Sequence, residues 1–233
     1  MTMWMWLVCQ LASADSMQNL AVASDGNSTV EQREEAFAEI VRSGSTEIQY
    51  LLDVAGDKTQ STRLRWVAIR ALGQIRGPQA EEVLMKTLKD PEPAIRTAAV
   101  SALGDLGKTE YTKLIGRFLQ DDAVIVRVAA AEALGKLADV KAIPLLESAL
   151  VDPSNQYRGA SLWVRAHYTV ALGNIGDAKA YPALLKCLAD GDPRVVQSAV
   201  VALEKIAGFS LGDGRSDSEE VEAWSRWVQN QIR

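Results

Sequence analysis

The hydrophobic pattern of the chain is organised around a short phrase, Ala-Leu-Gly, that recurs at a nearly constant step. The copies are Ala71-Leu72-Gly73, Ala102-Leu103-Gly104, Ala133-Leu134-Gly135, Ala171-Leu172-Gly173 and Ala202-Leu203-Glu204, the last with Glu in place of Gly. Successive copies are 31, 31, 38 and 31 residues apart. A fixed period of about 20 to 50 residues is typical of a solenoid, in which each repeat buries its apolar face against its neighbours. We number the repeats 1 to 5 by these phrases.

Each phrase lies within a predicted amphipathic helix. Counted from the third residue of the phrase, apolar side chains fall at positions −9, −5, −2, −1 and +2. This is the 3.6-residue period of a helix with one apolar face. Position −9 holds Leu64, Ile95, Val126, Val164 and Val195, and position +2 holds Ile75, Leu106, Leu137, Ile175 and Ile206.

A second helix is predicted in each repeat. Acidic and proline-containing turns precede the phrase helices of repeats 2, 3 and 5, where they favour helix caps. Glycines follow most of the phrase helices and suit a left-handed C-terminal residue. Apolar pairs then recur at positions +11 and +15, as in Leu84 and Leu88. Each repeat is therefore predicted to be a helical hairpin, and the fold class to be all-α, a right-handed α-solenoid over residues 29–208.

The two ends of the chain differ from the repeats. Residues 1–14 are uncharged, apolar and end in Ala12-Ser13-Ala14, which resembles a signal-peptide cleavage pattern. They predict export to the periplasm or the extracellular space; the alternative is a loosely packed tail on a cytoplasmic protein, since a basic start is missing. Residues 15–28 are expected to be a flexible segment, and Ser28 to Glu31 to be a capping box. A capping helix is predicted within residues 209–233.

Charge and cysteine content narrow the range of partners. The formal net charge is −5 and the pI is near 5.1, so the broad basic surface that nucleic-acid binding requires is missing. No stretch approaches the roughly 20 apolar residues of a membrane span beyond the short N-terminal run. The two cysteines, Cys9 and Cys187, form no disulfide framework, and Cys187 is expected to be a buried apolar residue rather than a reactive thiol. We expect a monomer that binds a protein partner.

An arginine column stands at position −8 of four repeats. Its members are Arg65, Arg96, Arg127 and Arg165, with Val196 in repeat 5. Asp90 and Asp121 precede Arg96 and Arg127 by six residues. Arginine can donate several hydrogen bonds to turn carbonyls and to an Asp of the same or the adjacent repeat, which predicts a structural ladder. The alternative is a basic stripe that binds an anionic ligand.

These repeats resemble the bacterial HEAT repeats of the phycobilisome-lyase type. The resemblance rests on the segments Asp90 to Leu106 and Asp121 to Leu137, which share (Val/Ile)-Arg-x-Ala-Ala-x-x-Ala-Leu-Gly-x-Leu, and it covers about residues 45–208. It implies a non-catalytic scaffold or adaptor. The alternative that it implies is a bilin lyase or a chaperone-like factor that holds a tetrapyrrole, with contacts from Trp163, His167 and Tyr168. We expect no cofactor in the scaffold.

Repeat 4 departs from the pattern and is the predicted partner site. Its step is longer by seven residues, which lie within Ser154 to Leu162 and predict either an extended helix or a protruding loop. Its phrase helix carries Trp163, His167 and Tyr168 where other repeats have mostly small residues. Together with Arg158 these side chains are candidates for partner binding; the alternative is that they fill space opened by the insertion. Trp66, in repeat 1, is a second candidate contact.

Catalytic chemistry finds little support in the sequence. One His and two distant cysteines do not make a zinc site. Iron enzymes that resemble deoxyhypusine hydroxylase need repeated His-Glu pairs, which this sequence does not contain. We therefore predict no enzyme activity and no metal site.

Overall fold

The computed structural model describes residues 15, 17–44, 48–157 and 160–233. The predicted signal peptide, residues 1–14, lies outside the described residues, and so does Arg158. The chain divides into two compact units, Met1–Leu106 and Gly107–Arg233.

The first unit is a stack of helices formed by repeats 1 and 2 and the two helices before them. The phrase helices of repeats 1 and 2 pack side by side. The helix before the phrase helix of repeat 1 packs on that helix and on the one that follows it. Leu51, Leu72, Leu84 and Leu103 are fully buried between these helices. Its helices are α1 (residues 17–24), α2 (Val30–Ser43), α3 (Ile48–Gly56), α4 (Thr62–Ile75), α5 (Pro78–Thr87) and α6 (Pro93–Asp105).

The second unit continues the hairpin pattern through repeats 3, 4 and 5. The phrase helix of repeat 4 packs between those of repeats 3 and 5, and the last helix covers the two helices before it. Its helices are α7 (Thr112–Gly116), α8 (Val124–Leu137), α9 (Ile143–Val151), α10 (Val164–Ile175), α11 (Tyr181–Leu188), α12 (Pro193–Ala207) and α13 (Asp217–Gln231). Short 3₁₀ turns span Thr109–Tyr111, Arg117–Gln120, Val140–Ala142, Pro153–Asn155 and Ala178–Ala180.

The architecture is the all-helical solenoid that the repeat predicts. The one departure in the described residues is a two-residue antiparallel pair, β1 (Gln156–Tyr157) and β2 (Ala160–Ser161), in which Gln156 faces Ser161. It lies in the seven-residue insertion. The insertion is therefore a loop between α9 and α10, and an extended helix, the other predicted possibility, is not formed.

The glycine of the phrase is explained by close helix packing. A Cβ atom placed on Gly73 would lie 2.6 Å from the Cβ of Ala102, and one on Gly173 would lie 2.7 Å from the Cβ of Ala202. Each of these glycines therefore contacts the alanine of the next phrase, and no larger residue fits without a shift of the helices. Repeat 5 has no further phrase to pack against, and there Glu204 replaces the glycine.

The N-terminal region differs from the expectation of a flexible segment over residues 15–28. Residues 17–24 are helical, and the side chain of Leu20 is fully buried. The capping box of α2 also begins one residue later than predicted. Thr29 caps the helix, and its backbone N–H donates to the side-chain oxygen of Gln32, not of Glu31. At the other end, Ser216 and Glu219 form a capping box at the start of α13.

Among the described residues, no helix combines the length and the hydropathy that a membrane span requires.

Candidate functional site

Two members of the arginine column, Arg65 and Arg165, join their hairpin to the turn of the following repeat. The Arg65 side chain is 3% exposed; its Nε donates to the carbonyl oxygen of Ala55 at 3.2 Å, and its terminal nitrogen lies 2.7 Å from Oδ2 of Asp90. Ala55 lies in the last turn of α3, the helix before the one that carries Arg65, whereas Asp90 lies in the turn of the following repeat. The buried guanidinium thus joins three segments with charge-assisted hydrogen bonds.

Repeat 4 reproduces this arrangement in the second unit. Nε of Arg165 donates to the carbonyl oxygen of Leu150 at 2.9 Å, and both terminal nitrogens contact the carboxylate of Asp190 at 3.1 and 2.5 Å. Arg96 is half-buried and donates to the turn carbonyls of Asp90 and Pro91 at 2.9 and 3.0 Å. The Asp side chain paired with Arg65 and with Arg165 therefore lies 25 residues after the arginine, whereas Arg96 contacts the backbone carbonyl of Asp90, six residues before it.

Asp90 and Asp121 also accept hydrogen bonds from backbone N–H groups within their own turns. The Oδ1 of Asp90 accepts from the backbone N–H of Glu92, and that of Asp121 from the backbone N–H of Ala123, each at 2.9 Å. Burial raises the pKa of Asp90, but the hydrogen bonds from Arg65 and from the Glu92 backbone outweigh this effect, so its pKa is lowered overall. The carboxylate therefore stays ionised beside its arginine.

Arg127 is the exception in the column. Its terminal nitrogen donates to the carbonyl and hydroxyl oxygens of Ser154 at 3.1 and 3.2 Å, and its buried Nε has no hydrogen-bond partner among the described residues. Asp152 occupies the position 25 residues on, just before the inserted loop. The insertion thus places Ser154 on Arg127. Arg65, Arg127 and Arg165 are all buried, so these three guanidiniums do not form an exposed basic stripe.

Tyr168 is a core residue, which corrects its place among the candidate partner contacts. Its side chain is fully buried, and its hydroxyl lies 3.3 Å from both the Leu119 carbonyl oxygen and Oδ1 of Asn155. Burial raises the pKa of the phenol to about 12. Asn155 is fully buried as well and donates to the carbonyl oxygen of Ala149 at 2.8 Å. Tyr168 therefore anchors the inserted loop and is not available to a partner.

Trp163 and His167, by contrast, lie at the surface. Trp163 is 43% exposed, and its ring packs edge to face on the imidazole of His167 with centroids 5.2 Å apart. Nδ1 of His167 lies 3.4 Å from Oε1 of Glu132 on the neighbouring helix α8, an ion pair when the imidazole is protonated. The two candidate side chains thus form one exposed aromatic pair that reaches towards repeat 3.

Three further apolar side chains extend this surface. Ile125, Val170 and Val201 are 47, 44 and 51% exposed. Ile125 and Trp163 share position −10 of their repeats, and Val170 and Val201 share position −3. Positions −10 and −3 are seven residues apart, about two helical turns, so they lie on the same side of a helix. Because α10 packs against α8 and α12, the side chains belong to one surface. We call it the Trp163 face, composed of Ile125, Trp163, His167, Val170 and Val201.

Trp66 lies in a separate cleft of the first unit. The guanidinium carbon of Arg70 sits 4.7 Å from the centre of the Trp66 ring and 5.1 Å from that of Phe37. The cleft has a volume of about 430 Å³, and α1, α2 and α4 supply its walls. We call it the Trp66 cleft; its principal lining residues are Val30, Arg33, Phe37, Arg63, Trp66 and Arg70.

Reactive groups are few in the part of the chain that the structure describes. No three His, Cys, Asp or Glu side chains converge there so as to hold a metal ion. Cys187 is buried on α11, and burial raises the pKa of its thiol. A buried thiol with a raised pKa is a poor nucleophile.

The sequence of the repeats matches a known family. The family model for HEAT repeats matches residues 48–124, 82–164 and 158–218, which together span more than half of the chain. The chain belongs to the HEAT-repeat family. No curated protein sequence matches it.

Solved structures share this HEAT-type fold. YibA of Escherichia coli is 19% identical with a TM-score of 0.59, and the match covers 85% of this chain and 77% of YibA. Kap121p is 15% identical with a TM-score of 0.58, and the match covers 85% of this chain but 26% of Kap121p. Human deoxyhypusine hydroxylase is 18% identical over 87% of this chain and 99% of its own, with a TM-score of 0.41. The similarities to YibA and Kap121p, both under 25% identical, show the fold alone.

Proposed function

We propose that this HEAT-repeat protein is a non-catalytic scaffold or adaptor that binds a partner protein through the Trp163 face. The proposal rests on one observation: four large apolar side chains are each more than two-fifths exposed on neighbouring helices. Scattered exposed apolar residues are ordinary, but a contiguous group of them is typical of an interaction surface. Tryptophan is also among the residues that most often contribute a large share of the binding energy at an interface.

Polar groups around the Trp163 face would orient such a partner. Glu132 lies beside His167, and Lys205 on α12 donates to Oδ1 of Asn174 at 2.8 Å across repeats 4 and 5. An apolar centre with a polar rim is the usual composition of a protein interface.

The test uses a double variant, Val170→Asp with Val201→Asp, which places two carboxylates on the Trp163 face. Immobilised wild-type protein captures partners from extracts of the encoding organism, and each captured partner is then purified and its affinity measured. We expect the double variant to bind at least about tenfold more weakly, as for a contact that carries binding energy. Val151→Asp is the matched control, because Val151 is 71% exposed but lies at the end of α9, outside the face. An equal affinity of the double variant and the control would contradict the proposal.

Single variants separate binding from packing on this face. Trp163→Ala and His167→Ala should weaken binding by about 1–3 kcal/mol while the melting temperature is retained. A large fall in melting temperature with unchanged affinity would assign both residues to packing.

The tetrapyrrole alternative receives less support from the geometry. It relied on Trp163, His167 and Tyr168 as joint contacts, and the complete burial of Tyr168 removes one of the three. Absorbance after mixing with a bilin remains a direct control, and we expect no spectral shift.

Export remains a proposal that rests on the sequence of residues 1–14. The apolar run before Ala12-Ser13-Ala14 predicts a mature chain that begins near Asp15. N-terminal sequencing of the protein from its native host measures this start. An intact Met1 terminus in the cytosolic fraction would contradict export.

A further inference from the structure

The Trp66 cleft is positively charged in a protein whose net charge is −5. Three guanidiniums line it, those of Arg33, Arg63 and Arg70, against the single carboxylate of Glu34. Among the described residues, no ion pair neutralises any of the three. The cleft therefore concentrates positive charge on a chain that is acidic as a whole.

The walls of the cleft combine this charge with apolar surface. Phe37 and Trp66 are half-buried, and the side chain of Arg70 lies over both rings. A guanidinium stacked on aromatic rings is held in place by cation–π attraction, and its N–H groups stay in the plane from which they can bind a carboxylate with two parallel hydrogen bonds. Val30, 55% exposed, adds an aliphatic edge.

We propose that the Trp66 cleft binds an acidic segment of a partner protein that carries an apolar side chain next to its carboxylates. The guanidiniums would pair with Asp or Glu side chains, while the apolar side chain would pack on Trp66 and Phe37. The volume of about 430 Å³ holds a few side chains of a peptide and not a folded surface. Three arginines around one short cleft also do not form the extended basic track that a nucleic acid follows.

This inference deepens the proposed function, since it presumes that the chain binds proteins, but it concerns a different unit of the molecule. Variants of the Trp66 cleft lie in the first compact unit, and those of the Trp163 face lie in the second. If the acidic peptide does not bind while the Trp163 face still binds its partner, this inference alone is overturned. Loss of binding at the Trp163 face alone would overturn only the proposed function.

The experiment measures binding of fluorescein-labelled peptides to the full chain by anisotropy. The probe peptide carries Asp and Glu around one Phe, and three comparison ligands are used: the same peptide with Lys for each acidic residue, the same peptide with Ala for Phe, and a single-stranded oligothymidylate. We expect the acidic Phe peptide to bind, the Ala version to bind several-fold more weakly, and the other two not to compete. Affinity should fall as salt rises, because the contacts are ionic.

Variants assign this binding to the cleft. Arg63→Glu should weaken the affinity for the acidic peptide by about tenfold or more, because it replaces a cation with an anion at the site. Arg63 is exposed, so the fold is retained, which circular dichroism checks. Lys89→Glu is the matched control, since Lys89 is exposed in the same unit but outside the cleft, and its effect should stay within about twofold. Equal losses in the two variants, equal binding of the Lys peptide, or preferred binding of the oligothymidylate would each overturn the inference.

Discussion

At the scale of single residues, the glycine of the repeated phrase is needed for packing rather than for a turn. A Cβ on Gly173 would lie 2.7 Å from both the Cα and the Cβ of Ala202, and the backbone there cannot move as a flexible side chain would. We expect Gly173→Ala to lower the free energy of unfolding by about 1–3 kcal/mol, the usual cost of overpacking. Gly56→Ala is the control, because open space surrounds Gly56 at the end of α3. Urea denaturation measures both, and equal effects would contradict the packing explanation.

A second residue-scale feature is the strained end of α8. Ala138 caps this helix with φ 50° and ψ 30°, a left-handed conformation, where the corresponding residues of repeats 2 and 4 are Gly107 and Gly176. Because a Cβ disfavours this conformation, Ala138→Gly should raise the free energy of unfolding by about 1 kcal/mol. Ala189→Gly is the control, since Ala189 ends α11 with φ −99° and should not gain from glycine. A melting temperature that falls in both variants would refute the strain.

The residue columns of the sequence already distinguish core from surface in the candidate site. Tyr168 occupies position −5, which alanine fills in the other repeats, and a column of buried alanines marks a core position even when a polar aromatic stands in it. The exposed columns −10 and −3 likewise mark Ile125 and Val201 as surface residues, although neither residue type is unusual in a repeat. What the sequence did not indicate is that four apolar members of these columns occur in neighbouring repeats and form one surface.

At the scale of elements, the link between Arg65 and Asp90 joins consecutive hairpins. The pKa of Asp90 is lowered in the folded state. The pair therefore stabilises the fold fully above the unfolded-state pKa of about 3.9. This contribution is lost as the pH falls through the lower folded-state pKa. Asp90→Asn should therefore destabilise the protein by about 3 kcal/mol at neutral pH, because both partners of the pair are buried. This difference from wild type should shrink as the pH falls below about 4.

Urea denaturation at several pH values measures that convergence. Glu82→Gln is the control, because Glu82 and Lys86 form a pair that is largely exposed, and exposed pairs contribute little to stability. A constant difference between wild type and Asp90→Asn from neutral to acid pH would show that the effect arises from packing and not from charge.

The hairpins were predictable because the repeat fixes both the helical face and the turn. The conformation of the insertion in repeat 4 was not predictable, because seven residues are close to two helical turns and fit an extended helix as well as a loop. The structure shows why the loop is formed: Pro153–Asn155 turns the chain directly after Asp152, and buried Asn155 contacts Tyr168. For the arginine column, the repeat predicted contact with an Asp of the same or the adjacent repeat, but it did not indicate which Asp Arg65 would contact. The helix at residues 17–24 was missed because burial of Leu20 depends on its neighbours in space.

At the scale of the whole molecule, a stack of repeats exposes apolar surface at its last member unless a terminal element covers it. Helix α13 covers α11 and α12, and Trp224 and Val228 are fully buried there. Trp224 also belongs to an aromatic cluster: its ring lies 5.5 Å from that of Phe209 and 5.4 Å from that of Trp227, which in turn lies 5.4 Å from Tyr181. The predicted capping helix at residues 209–233 thus corresponds to α13 and the loop before it.

Removal of this aromatic anchor should destabilise the second unit. We expect Trp224→Ala to lower the free energy of unfolding by about 3–5 kcal/mol, as for other buried tryptophans. Trp224→Phe should cost much less, because it keeps most of the apolar volume and removes an indole N–H that is buried without a partner among the described residues. Trp163→Ala is the matched control, since it removes the same side chain from an exposed position. If Trp163→Ala proved as costly as Trp224→Ala, the cap would have no special role, and the Trp163 face would be a packing surface instead of a site for a partner.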